Sequence, residues 1–272
     1  MENFFSGTMC IATLQYLRKK NMRLYLDSAR YIDTKSPIDL SISLKNGSEN
    51  VRAWYVDAPT MEPVRANGWV GSIHEGGSVN FRDISFNPHG HMTHTECLGH
   101  ITDEVFSVNA VVRDFFSLAQ IVSLSPREVV AADGKIDHVI FPDHFDDIVW
   151  HADIESLIIR TLPNTESKLH MNHSDSNPPY LDVRCIEKIN ALGIRHLLID
   201  QPSVDRELDG GALAFHHAYW NVPDLPNHER TITEMIYVPN SVDDGLYMLE
   251  LQMAPFENDA APSRPVVYEI HY

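Results

Sequence analysis

Residues 38–44, IDLSISL, alternate apolar and polar positions, and that period of two predicts a strand. VRAWYV (51–56) reads as its neighbour, with KNGSEN as the turn between them. SVNFRDISF reads as a further strand that leads into a histidine-rich segment. Ser125 followed by Pro126 carries the signals of a helix start, so SPREVVAA (125–132) predicts a helix. HVIFP and IESLIIRT (154–161) read as buried strands, and TESKLHMNHSDSNPP (165–179) as a polar loop suited to a lid. The clearest unit is 181–200. Val183, Ile186, Ile189 and Leu192 form a helical stripe, Gly193 supplies the stop, and HLLID follows as a buried strand. LYMLELQMAPF (246–256) is another strand. CIATLQYLRKK has helical periodicity, so residues 1–37 read as an N-terminal arm or helix ahead of a domain over 38–272. Helix, short turn and strand in succession are an α/β signature. The expectation is a single α/β domain with mixed β-sheets flanked by helices.

Charge and composition narrow the partners. The formal net charge of −17 excludes nucleic acid as a partner, because phosphate binding needs a basic surface. It also denies anionic substrates any long-range attraction. No run approaches the roughly 20 apolar residues that span a bilayer, so no membrane partner is expected. LRKK follows the apolar stretch near the start, the wrong order for a secretory signal, and a cytoplasmic location is the expectation. Three cysteines, Cys10, Cys97 and Cys185, make neither a disulfide framework nor a thiolate metal site.

HGHMTHTECLGHI (89–101) concentrates four histidines and a glutamate. Pro88, Gly90 and Gly99, with β-branched Thr93 and Thr95, argue against a helix there. In an extended chain His94 and Glu96 share a face while Thr95 points back. Gly99 can turn the chain so that His100 rejoins them, and His89 or His91 can approach from the other end. Imidazole nitrogen with carboxylate oxygen is a ligand set for Zn²⁺, and it also suits Mn²⁺ or Fe²⁺. A cation held in this way activates water for attack on a carbonyl, and a neighbouring histidine can carry the proton. Cys97 faces away from His94 and Glu96 and reads as a small buried residue.

THTECLGH resembles the T-H-x-D-x-P-x-H core of the cyclase family of metal-dependent hydrolases, which includes bacterial kynurenine formamidases and isatin hydrolases. Other pieces follow in that family's order: IDLSISL, DQPSVD (200–205), FHHAYW, ITEMIYVPN (232–240), and a closing strand carrying a D-x-x-P-x-R loop. The likeness spans roughly 38–268. Glu96 stands where the family has Asp, Leu98 where it has Pro, and Met92 where it has Gly. Gly90 occupies the usual position of the first ligand, and His89 and His91 flank it. His89 is favoured, since Pro88 can fix its approach.

The resemblance implies a swivelling β/β/α-like fold and a binuclear or mononuclear divalent-metal centre, zinc first and manganese second. It implies His89, His94, Glu96, His216 and Glu234 as ligands, with Glu96 bridging. His216 is preferred to His217, because Tyr219 and Trp220 then take the family's apolar pair. His100 is implied as the acid/base that is not a ligand, with Glu234 beside it in the catalytic set. Asp200, Ser203 and Asp205 read either as carboxylate and hydroxyl support for the ligand imidazoles or as a helix cap. Tyr219, Trp220 and Trp69 read as core packing or as the walls of an aryl pocket. NVPDLPNHER (221–230) is longer than the family's usual gap and implies an altered pocket rim. The implied reaction is that of a kynurenine formamidase: an N-aryl formamide hydrolysed to an arylamine and formate. Two alternatives are opening of an isatin-like lactam or other cyclic amide or ester, and a metal- or ligand-binding module without turnover. A small amide or lactam substrate and a homo-oligomer are the implied partners.

Overall fold

The computed structural model describes residues 22–272, so the helical reading of CIATLQYLRKK lies outside the described residues. Seven strands close into a barrel: β1 (His94–Glu96), β2 (Phe116–Leu124), β3 (Ser156–Thr161), β4 (His196–Ile199), β5 (Thr231–Glu234), β6 (Gly245–Met253) and β7 (Ala260–His271). Around the ring the order is β1, β5, β4, β3, β2, β6, β7 and back to β1. β2, β3, β4 and β5 run parallel, and the other contacts are antiparallel. A hairpin of Arg23–Tyr25 with Tyr31–Asp33 extends the sheet by pairing with β7. No helix among the described residues is long and apolar enough to cross a membrane. This is the expected single α/β domain with mixed sheets.

Strand alternation sorts the core into two layers. Ile158 and Leu198 pack with Ala119, Ile121, Leu249 and Val267, drawn from all around the ring, so this cluster fills the barrel. Leu157, Ile159, Leu197, Ile199 and Ile232 point the other way. They pack under Ile186 and Ile189 of one helix and Phe215, Tyr219 and Trp220 of another. Those two helices are α2 (Cys185–Ala191) and α3 (Ala214–Trp220), and α1 is the single turn Pro88–His91. Gly193 has φ +70°, the left-handed conformation expected at the end of α2. Val183, part of the expected stripe, lies before the helix and is 40% exposed.

Four local readings differ from the fold. SPREVVAA forms a strand, Arg127–Val130, paired antiparallel with Ile136–Ile140. The Asp-Gly turn at 133–134 selects a hairpin, with Gly134 at φ +81°, and outweighs the Ser-Pro helix signal. VRAWYV is not a strand: Trp54 and Tyr55 sit at φ 60° and 59°, and only Arg52 makes an isolated bridge, to Asn172. IDLSISL forms a regular strand only over Ile38–Asp39, followed by an isolated bridge from Ser41 to Ile236, and the Asp39 carboxylate accepts from Ser41 N and Oγ. The polar 165–179 stretch holds a short 3-10 turn, Glu166–Leu169.

Two buried histidines make the fold acid-sensitive. His196 on β4 contacts Thr231 Oγ1 at 2.8 Å, and burial lowers its pKa to about 4, as it does for His173. A base that is harder to protonate when folded favours the unfolded state as pH drops below the ordinary value near 6.5. Each should cost roughly 3 kcal/mol by pH 4. We expect His196→Asn to flatten the fall in urea midpoint between pH 6.5 and 4, relative to wild type. An unchanged slope in paired denaturation curves would contradict this.

Candidate metal centre

His94 and Glu96 sit at the seam where the barrel closes. β1 lies between β5 and β7, with His94 opposite Glu234 and Pro262, and Glu96 opposite Ile232 and Ala260. Alternation points Thr95 the other way, where its hydroxyl meets Thr233 Oγ1 at 2.7 Å. His94, Glu96 and Glu234 therefore share the barrel's outer face, and α3 brings His216 onto it. All four are buried: His94 and Glu96 are fully so, with His216 at 2% and Glu234 at 3% exposure.

His89 arrives on α1 rather than on an extended chain. Asn87 caps this turn by accepting from Gly90 N at 3.2 Å, and Pro88 takes the first helical position. A Cβ at Gly90 would stand 2.7 Å from Val56 Cγ2, so no larger residue fits where a ligand is usual in the family. His89, one residue earlier, reaches inward instead, its Nδ1 3.1 Å from Glu96 Oε2. His91 turns away, bonded to Asn87 N and to the carbonyl of Asp57. His100 rides the 3-10 turn Leu98–Ile101, where a Cβ at Gly99 would lie 2.4 Å from the Phe106 carbonyl oxygen. Its Nε2 is 3.9 Å from Glu96 Oε2, and its side chain is 30% exposed.

Glu96 is the hub. His216 Nε2 lies 3.1 Å from its Oε1 and 3.8 Å from Glu234 Oε1. Burial alone would raise the Glu96 carboxyl, but His100, His216 and His89 hold it well below the usual carboxylate range. Burial likewise disfavours charge on His89 and His216, yet their carboxylate neighbours raise both to about 10. Among the described residues, two groups could each close on a cation: His89, Glu96 and His100, and His94, Glu96 and Glu234. Glu96 belongs to both.

Support comes from residues around the hub. Asp205 Oδ2 lies 2.6 Å from His216 Nδ1, and the carboxylate also accepts from Phe215 N and His216 N at the start of α3. It is thus both imidazole anchor and helix cap. Ser203 Oγ accepts from Asp205 N, and Val204 N donates to Glu234 Oε1. Asp200 stands apart, paired with Lys168 at 2.7 Å. Asp259, which had no assigned role in the sequence reading, lies 2.9 Å from His89 Nε2 and 3.2 Å from His100 Nδ1. The two imidazoles hold its carboxyl below the usual range. It is the Asp of the D-x-x-P-x-R loop, and that motif was its only signal in the sequence. Cys97 faces away as expected, its thiol donating to the Phe106 carbonyl and pushed up to about 11 by burial. Tyr219 and Trp220 are core residues, whereas Trp69 is 39% exposed, its ring tilted against that of Phe81. His217 makes no contact with the hub.

The donor set fits a cation for a specific reason. His94 Nδ1 donates to the Met92 carbonyl at 3.1 Å, which in the neutral ring leaves Nε2 with a lone pair. That Nε2 is buried without a hydrogen-bond partner and faces Glu234 Oε2 at 3.5 Å. Glu96 Oε2 accepts no well-aligned hydrogen bond, although His89 Nδ1 lies 3.1 Å away. Unprotonated nitrogen facing carboxylate oxygen is repulsive unless a positive charge lies between them, and this is the hard, mixed N/O environment that divalent zinc or manganese accepts. Asp205→Asn should keep the cap on α3 but weaken the hold on His216, lowering metal affinity about 10- to 100-fold. Metal titration with unchanged circular dichroism would check it; equal affinity would refute it.

The family described as "Putative cyclase" matches residues 38–206. No curated protein matches the chain. Solved structures share its fold at low identity. Isatin hydrolase A from Labrenzia aggregata is 14% identical, with TM-score 0.60, over 86% of this chain and 93% of its own. A second isatin hydrolase, bound to the product analogue thioisatinate, is 11% identical, with TM-score 0.60, over 97% and 99%. A structure described as a "predicted metal-dependent hydrolase" from Bacillus stearothermophilus is 14% identical, with TM-score 0.56, over 86% and 98%.

Proposed function

The chain belongs to the cyclase family, and from that premise we propose that it is a divalent-metal-dependent hydrolase of a small amide whose nitrogen is attached to an aryl ring. The observation that carries this reading is the buried, unpartnered His94 Nε2 facing Glu234, beside the carboxylate hub of Glu96. His94, Glu96, His216, Glu234 and His89 would hold the cation. A bound divalent metal supplies Lewis acidity, polarising a carbonyl and making water a better nucleophile.

The chain's own residues do the rest. Asp205 and the Met92 carbonyl fix the ring orientations of His216 and His94, so their Nε2 atoms face inward. Asp259 anchors His100 at Nδ1, leaving Nε2 to move a proton. Water adds its oxygen to the carbonyl carbon, and the C–N bond breaks. The proton that His100 takes from water passes to the departing nitrogen. At 30% exposure, against 19% for His89, His100 is the most accessible histidine of the cluster.

An N-aryl formamide, releasing formate and an arylamine, is the first candidate substrate. An isatin-like lactam is the second, favoured by the fold shared with two isatin hydrolases. Both are uncharged at the reacting amide, which suits a chain of net charge −17. The test is elemental analysis of purified protein, followed by N-formylaniline and isatin assays after zinc or manganese loading. We expect metal retention and turnover of one of the two. Metal-loaded protein that hydrolyses neither these nor simple esters would overturn the hydrolase reading in favour of a binding module.

A further inference from the structure

A cavity of about 730 Å³ lies away from the metal centre. None of His89, His94, Glu96, His100, His216 or Glu234 lines it. It opens where parallel strands β3 and β4 end, beside Thr161 and Gln201. The carboxyl ends of parallel strands are where α/β sheets and barrels alike habitually form ligand crevices. Its volume lies within the range of small-molecule sites.

The polar wall of this cavity is rich in acceptors. Its one ammonium, Lys168, commits its N–H donors to Thr161 O and Oγ1, Asn164 Oδ1 and Asp200 Oδ2. Gln201 commits its amide nitrogen to Thr161 Oγ1 and Asp200 Oδ1, leaving the amide oxygen as an acceptor. His173 is 3% exposed, and its Nδ1 has no hydrogen-bond partner. Burial and the neighbouring Lys168 lower its pKa to about 4, so at neutral pH the ring is uncharged and one nitrogen can accept. Glu128, paired across its hairpin with His138, adds a carboxylate. Leu162, Pro163, Met171, Pro178 and Pro179 supply the apolar walls.

We propose that this cavity is a second ligand site, distinct from the metal centre, for an uncharged molecule that presents N–H donors on a flat apolar frame, such as an aryl amine or aryl amide. The buried His173 nitrogen and Gln201 amide oxygen favour a donor, because an analogue lacking it leaves them unsatisfied. Carboxylates and phosphates are disfavoured, because the Lys168 donors are already taken and Glu128 sets a carboxylate at the exposed rim.

Calorimetric titration of the metal-loaded wild type with 2-aminobenzamide, and separately with benzoate, tests the site. We expect 2-aminobenzamide to bind and benzoate to bind at least about tenfold more weakly. Ser167→Trp, at an exposed lining position, should fill the cavity and weaken 2-aminobenzamide by at least about tenfold. Ser176→Phe, at another exposed lining position, is the second variant if the first does not fold. His216→Ala, at the metal centre, should leave binding unchanged. No binding to wild type at millimolar probe, equal binding of benzoate, full binding by the filled variants, or loss of binding in His216→Ala would each overturn the proposal. None of these readouts depends on hydrolytic activity, so failure of the hydrolase reading would be seen separately.

Discussion

Glu96→Gln should strip the protein of its metal and of its activity together. Glu96 is fully buried and its two oxygens face His89, His216 and His100, so one side chain serves both groups that could close on a cation. Gln keeps the size but removes the charge, and it places an N–H2 donor where a cation needs a lone pair. Losing a residue that merely orients a ligand typically costs 10- to 100-fold in metal affinity, and loss of a shared ligand should cost more than about 100-fold. Elemental analysis after dialysis should find the variant empty. A full complement of metal in Glu96→Gln would place the cation elsewhere.

His100→Ala should separate chemistry from metal holding. We expect turnover to fall by about 10²- to 10⁴-fold, the usual cost of removing a positioned acid/base, with metal content retained. This outcome has a definite competitor in the structure, since His100 also sits within reach of a cation held by His89 and Glu96. If His100→Ala loses metal as well as turnover, His100 is a ligand and the proton must travel by another group. If turnover is unaffected, it is neither.

Much of the site was legible because its chemistry is concentrated in one short segment. His94, Glu96 and His100 are separated by one and three residues, and strand alternation with one glycine turn suffices to aim them together. The one-turn helix at Pro88–His91 was missed, although Asn87 and Pro88 are its cap and first residue; the glycine and β-branched residues around it masked a signal only four residues long. The strand at Arg127–Val130 was missed for the opposite reason: Ser125-Pro126 is a local helix signal, and pairing across the Asp-Gly turn overrode it. Tertiary pairing wins such contests because each hydrogen-bonded partner strand adds to what a single capping signal can offer.

The sequence by itself determined the α/β class, the existence of buried strands within 154–161 and 196–200, and the residue types that a hard cation needs, because these depend on periodicity and donor chemistry within a few positions. Only the tertiary structure decided that His89 faces Glu96 while His91 does not, and that Asp205 and not Asp200 holds His216. It alone brought Asp259, 159 residues beyond His100, between two imidazoles. Those choices rest on barrel closure, in which β1 is clasped between β5 and β7. Which side chains meet across that seam is set by strand register and by close contacts such as Val56 against Gly90, and neither leaves a trace in local spacing.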